Sequence, residues 1–117
     1  MQDKMRIVQE LVPGKQVTLA HIIANPDPLL YVKLGLVADE ETRVDAIAIL
    51  TVTPAEAAVI AADVAMKSSG VELGFVDRFS GTLIVTGTVS QVESAMEATC
   101  RYLEDKIGCT VCPITRT

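Results

Sequence analysis

With 117 residues, half of them hydrophobic but only 3% aromatic and none of them Trp, the chain suits one domain with a core of small and branched aliphatics. Its formal net charge of −5 argues against a phosphate-backbone partner, so no nucleic acid is expected. The opening MQDKMRIVQE has no apolar stretch of signal-peptide length and no run approaches the ~20 residues that span a bilayer, so a cytoplasmic protein with reduced Cys100, Cys109 and Cys112 is expected.

Residues 5–12 (MRIVQELV) alternate, with Met5, Ile7, Gln9 and Leu11 on one side and Arg6, Val8, Glu10 and Val12 on the other. That is strand periodicity without a clean polar face. Pro13–Gly14 separates this strand from the next segment, and a lone strand needs copies of itself or another chain. Gly14–Lys15 lacks the upstream glycine and the following Ser or Thr of a phosphate loop, so it reads as a turn. Residues 16–24 (QVTLAHIIA) form a second extended segment, with Val17, Leu19, His21 and Ile23 on one face. Asn25–Pro26–Asp27–Pro28 breaks it, and Asp27 with Pro28 starts a short helix, LLYVKL, ended by Gly35. Residues 37–45 (VADEETRVD) are a charged connection, in which Asp39, Glu40 and Glu41 read as solvated rather than metal-binding.

From residue 46 the pattern is β-α-β-β-α-β. Residues 46–52 (AIAILTV) have strand length. Thr53 as N-cap, Pro54 in the first turn and Glu56 closing a capping box then start a helix that runs to Ser68–Ser69–Gly70, where Gly70 suits the left-handed C-terminal position. Residues 71–78 and 82–88 read as strands joined at the Ser80–Gly81 turn. Ser90–Gln91–Val92–Glu93 opens a second capped helix, Gly108 ends it, and residues 109–115 form a fourth strand. The predicted class is α+β, the ferredoxin-like split βαβ arrangement. The segments before residue 46 stand outside a unit that looks complete without them.

In the first of these helices Glu56, Ile60, Asp63 and Lys67 form one narrow stripe on an Ala, Val, Ile and Met body. Asp63 and Lys67 are spaced for an i,i+4 pair. With a mean hydropathy of +0.39, this pattern predicts burial against partner subunits. The second helix sets Val92, Ala95, Met96, Thr99, Leu103 and Ile107 opposite Glu93, Glu97, Arg101 and Glu104, the pattern of a helix solvated on one side.

Little here points to chemistry. His21, the only histidine, shares its side with Val17, Leu19 and Ile23, which favours a structural imidazole with a local hydrogen bond over a catalytic base. Cys109 and Cys112 have CxxC spacing, but in a strand they point to opposite faces and could not grip one ion. Asp77 and Arg78 suit a turn-stabilising or inter-subunit ion pair. No nucleophile, base and orienter assemble, so no enzyme, cofactor or metal is expected. A ligand-binding regulatory domain of ferredoxin-like fold is the alternative, and a metal carrier using Cys109 and Cys112 a further one.

The run AIAILTVTPAEAAVIAADVAMKSSGVELGFVDRFSGTLIVTGTV, followed by SQVESAMEA, resembles the bacterial microcompartment (BMC) shell-protein domain. RIVQELVPGKQVTLAHIIANP and the closing CPITRT are similar to its circularly permuted branch, with members in propanediol-, ethanolamine- and choline-utilisation compartments. The resemblance implies a structural subunit in the bacterial cytoplasm that forms homo-hexamers, tiles with other shell proteins and encloses enzymes. It divides the chain into an N-terminal barrel strand (residues 1–14) and a permuted BMC domain (15–117). It places Lys67 at the hexamer edge, with Gly70 where relatives carry Asn, and Phe79, Ser80 and Gly81 on a loop toward the axis. Six copies of the strand Arg6, Ile7, Val8, Gln9, Glu10, Leu11 and Val12, related by rotation, run parallel and close without edges, blocking the central pore. Burying six Glu10 carboxylates would be costly, so Ile7, Gln9 and Leu11 are expected inside, with Arg6 and Glu10 outside.

Overall fold

The computed structural model describes residues 14–36 and 45–117. The barrel strand expected at residues 5–12 and the carboxylates Asp39, Glu40 and Glu41 lie outside the described residues. In chain order come β1 (Gln16–Ala24), α1 (Pro28–Leu34), β2 (Ala46–Thr53), α2 (Ala57–Ser68), β3 (Glu72–Asp77), β4 (Thr82–Gly87) and α3 (Val89–Tyr102). A π-helical turn (Leu103–Ile107), β5 (Thr110–Val111) and β6 (Thr115–Arg116) complete the order.

One mixed sheet has the order β3-β4-β2-β1-β5, with β6 also pairing β1. α2 and α3 pack on each other and over the sheet. Ala46, Ala48, Leu50 and Val52 of β2, Leu83 and Val85 of β4, and Val92, Ala95, Met96 and Leu103 of α3 and its final turn join one buried cluster. The α+β class is thereby met.

β1 corrects the expectation of a unit complete from residue 46. It lies antiparallel to β2 and parallel to β5 and β6, so it separates β2 from the C-terminal strands that a plain split βαβ would set beside it. Its face assignment also changes. A register shift between Val17 and Leu19 inserts an extra residue, so Val17, Ala20 and Ile22 are buried. Leu19 and His21 pair with Thr51 and Ile49, on the opposite face from the Ala20–Leu50 pair. A bulge of this kind resets the alternation on which the sequence assignment relied.

The helix ends differ in three places. β2 continues through Thr53, which is paired with Gln16, so Thr53 is not a cap. α2 begins only at Ala57, through i→i+3 bonds from Ala57, Ala58 and Val59 to Pro54, Ala55 and Glu56, and Glu56 makes no side-chain cap bond. At its other end the chain leaves through extended Ser69, and Gly70 is not left-handed. α3 is capped by Thr88, two residues before the expected Ser90, because β4 ends at Gly87 and Gln91 rather than Glu93 falls at the third helical position. α1 keeps its Asp27 cap and left-handed Gly35, and Gly108 ends the α3 run as expected. The fourth strand is two short pieces, β5 and β6, with Pro113 in the gap where it can donate no ladder hydrogen bond.

Candidate functional site

α2 is built from two unlike faces. Ala57, Ala58, Ala61, Ala62 and Ala65 turn inward and are buried, which lets the helix lie close to its neighbours. Val59, Ile60 and Met66 turn outward and stay 51%, 40% and 47% exposed. Beside them Lys67 Nζ lies 2.9 Å from Asp63 Oδ2, the i,i+4 pair expected from the spacing. The hydrogen bond to Asp63, and then its charge, hold the Lys67 ammonium above the usual lysine range.

The connection after Lys67 is anchored from below. The Ser69 hydroxyl donates to the Gln91 carbonyl oxygen at 2.9 Å, while Gln91 Oε1 accepts from the Thr88 N–H at 2.9 Å. A Cβ on Gly70 would sit 2.6 Å from Gln91 Nε2, and one on Gly87 would sit 2.9 Å from Gln91 Oε1. Gly70 thus leaves room for the Gln91 amide and makes no left-handed turn. Sequence reading missed Gln91; the Thr88-x-x-Gln91 spacing was its available signal.

The β3–β4 turn presents Phe79, Ser80 and Gly81 together. Asp77 Oδ1 accepts from the Phe79 N–H at 2.9 Å, and this bond, with help from Ser80, holds the Asp77 carboxyl below its usual range. Gly81 takes φ +76 and its carbonyl accepts from the Val52 N–H, with Val52 and Ala55 backbone crowded against it. Within the subunit Arg78 makes no turn-stabilising ion pair with Asp77. Its guanidinium lies 5.0 Å from the centroid of the Phe79 ring, which is 81% exposed.

His21 is structural in its contacts. Nδ1 is 2.6 Å from Thr115 Oγ1 and Nε2 is 3.0 Å from Thr117 Oγ1, so the imidazole ties β1 to the C-terminal strand. Cys100 and Cys109 are buried and Cys112 is half-buried, all as free thiols. Burial, with a lesser contribution from Cys112, pushes the Cys100 thiol up to about 11, the opposite of an activated nucleophile. Among the described residues no cluster of three or more His, Cys, Asp or Glu could hold a metal ion. No described helix is long and apolar enough to cross a membrane.

α2 thus presents an apolar flank with a charged edge, and the β3–β4 turn an exposed aromatic ring. The chain belongs to the BMC-domain family, whose profile matches residues 46–115. It is 54% identical over 112 residues to the bacterial microcompartment shell protein PduU of Salmonella typhimurium, covering 96% of this chain and 93% of PduU. To the shell protein EutS of Escherichia coli K12 it is 49% identical over 115 residues, covering 98% and 99%. The solved CutR flat hexamer superposes with a TM-score of 0.81 at 40% identity, covering 91% of this chain and 94% of that one. CutR solved as a screw of 41.9 Å pitch gives 0.80 at 39% identity, covering 90% and 100%.

Proposed function

We propose that this chain is a structural shell subunit of a bacterial microcompartment, assembling into hexamers that tile the shell, and that it performs no catalysis. The observation that carries the reading is identity of about half over nearly the whole length of shell proteins, joined to an α2 flank that a lone subunit leaves in water. Its place is the bacterial cytoplasm, in the shell, with other shell proteins as neighbours and enzymes enclosed behind it. The ligand-binding alternative is not favoured: the relatives are shell subunits, and the exposed residues of the site are aliphatic and paired rather than convergent and polar.

The arrangement of β1 supports circular permutation. It is the first described strand, lies outside the profile match at residues 46–115, and yet pairs with β2, β5 and β6 inside the sheet. For residues 1–14 the barrel over the axis rests on the sequence argument, with Arg6 and Glu10 outside and Ile7, Gln9 and Leu11 inside. Lys67 is the proposed hexamer-edge residue, and Phe79, Ser80 and Gly81 the proposed axial turn. Mass measurement of the purified protein at micromolar concentration tests the reading: a six-subunit species is expected. A stable monomer, or a dimer that responds to a small molecule, would overturn it.

A further inference from the structure

The segment after Gly108 runs back along α3, and two contacts fix it there. At one end the Cys109 N–H donates to the Leu103 carbonyl oxygen at 2.9 Å, and at the other Arg116 Nη1 lies 2.6 Å from Glu93 Oε1. Between these anchors the helix carries Cys100 and the returning segment carries Cys112. Glu93 and Cys100 are about two helical turns apart, so they share the side of α3 that meets the segment. Cys100 belongs to the buried core cluster, and the more open Cys112 packs against the same cluster. Burial first, and then the charge of Cys112, raise the Cys100 thiol, so the two groups are near enough to act on each other. Sequence spacing sets Cys112 with Cys109; the fold sets it with Cys100. Both are free thiols, and the shell reading uses neither.

We propose that Cys100 and Cys112 are a redox-active pair, which a low-molecular-weight disulfide such as oxidised glutathione converts to an internal disulfide joining α3 to the C-terminal segment. Cys112 reacts first, because it is the more open of the two and buried Cys100 keeps its proton to about 11. Cys112 Sγ, its proton passed to water, attacks one sulfur of the small disulfide; that S–S bond breaks and one small thiolate leaves. Cys100 Sγ then loses its proton, attacks Cys112 Sγ and expels the second small thiolate. Two protein thiols are oxidised, one small disulfide is reduced to two thiols, and the two protons end on the leaving sulfurs. The new bond closes a short loop over the π-helical turn and β5. It also pins the segment whose Thr115 and Thr117 hold His21. Such a cross-link stabilises by restricting the unfolded chain.

The folded full chain, incubated with oxidised glutathione, alkylated, digested and mapped by mass spectrometry, tests this without any variant. A Cys100–Cys112 disulfide is expected, with Cys109 left as a thiol and the bond reopened by dithiothreitol. A disulfide needs Cα atoms within about 7 Å, so its formation in the folded chain reports the packing directly. Cys100→Ser is expected to stop at glutathione held on Cys112, and Cys112→Ser to form neither product. The oxidised wild-type chain should melt several degrees above the reduced one. Wild-type protein that keeps glutathione on Cys112, or leaves Cys112 unreacted, would overturn the pair. So would a bond that uses Cys109 or links two subunits, and an unchanged melting temperature would overturn the pinning.

Discussion

α2 and α3 lie side by side over the same sheet, yet they are finished to different degrees. α3 has a complete capping box, buries Val92, Ala95, Met96, Thr99 and Cys100, and turns Glu93, Glu97 and Arg101 outward. α2 has no side-chain cap, buries only alanines, and leaves Val59, Ile60 and Met66 in water. Large inward side chains make α3 the anchor of the subunit's own core. Small inward side chains bring α2 close to the sheet and leave its apolar area to be covered by something else. The same subunit thus contains one helix that completes its own fold and one whose apolar area is only partly used within it.

The contrast is sharpest in a pair of substitutions. Leu103→Ala, at the fully buried end of the α3 run, is expected to cost about 2–5 kcal/mol in denaturant unfolding. Ile60→Glu should cost under about 1 kcal/mol by the same measurement on dissociated protein, yet reduce assembly measured by light scattering. If the two variants unfold alike, the division between the helices is wrong.

A smaller effect reads the core side alone. An unfolded thiol ionises near 9.0, whereas folded Cys100 keeps its proton to about 11. Above pH 9 the unfolded chain therefore loses protons that the folded one holds, and stability falls as pH rises toward 11, by up to about 2 kcal/mol. Below pH 9 this contribution is fully present. Cys100→Ala should flatten that part of the curve of melting temperature against pH, whatever its effect at neutral pH.

The join between the helices gives about 1 kcal/mol. Gln91→Ala loses the reciprocal cap, and Gly70→Ala forces a Cβ against the Gln91 amide, each worth about 1 kcal/mol. Because the second cost needs the first side chain, the double variant should be well short of additive in a thermal-denaturation cycle. Smallest of all, Lys67→Ala should leave the midpoint of subunit unfolding unmoved, since its pair with Asp63 is exposed, while weakening array formation in pelleting assays.

Legibility varied with the kind of interaction. The Asp63–Lys67 pair, the Gly81 turn and the inner face of α3 were readable because each depends on residues a few positions apart. Within the subunit Arg78 lies over the Phe79 ring, while the Asp77 carboxylate accepts from the Phe79 N–H, a choice of partner that sequence adjacency does not reveal. His21 was placed with Val17, but the bulge between Val17 and Leu19 turned it to the other face, toward Thr115 and Thr117. Thr88, not Ser90, caps α3, because the end of β4 decides where the helix begins.

The amino-acid order alone settled the element sequence, the α+β class, the unfinished character of α2 and the family resemblance, since periodicity, turn chemistry and local motifs are short-range properties. Only the folded chain decided that β1 sits between β2 and the C-terminal strands, that Gly70 lies close against the Gln91 amide, and that Tyr102 faces two hollows. Those facts join residues tens of positions apart, and no local periodicity encodes which distant backbone a strand, a glycine or an aromatic ring will meet.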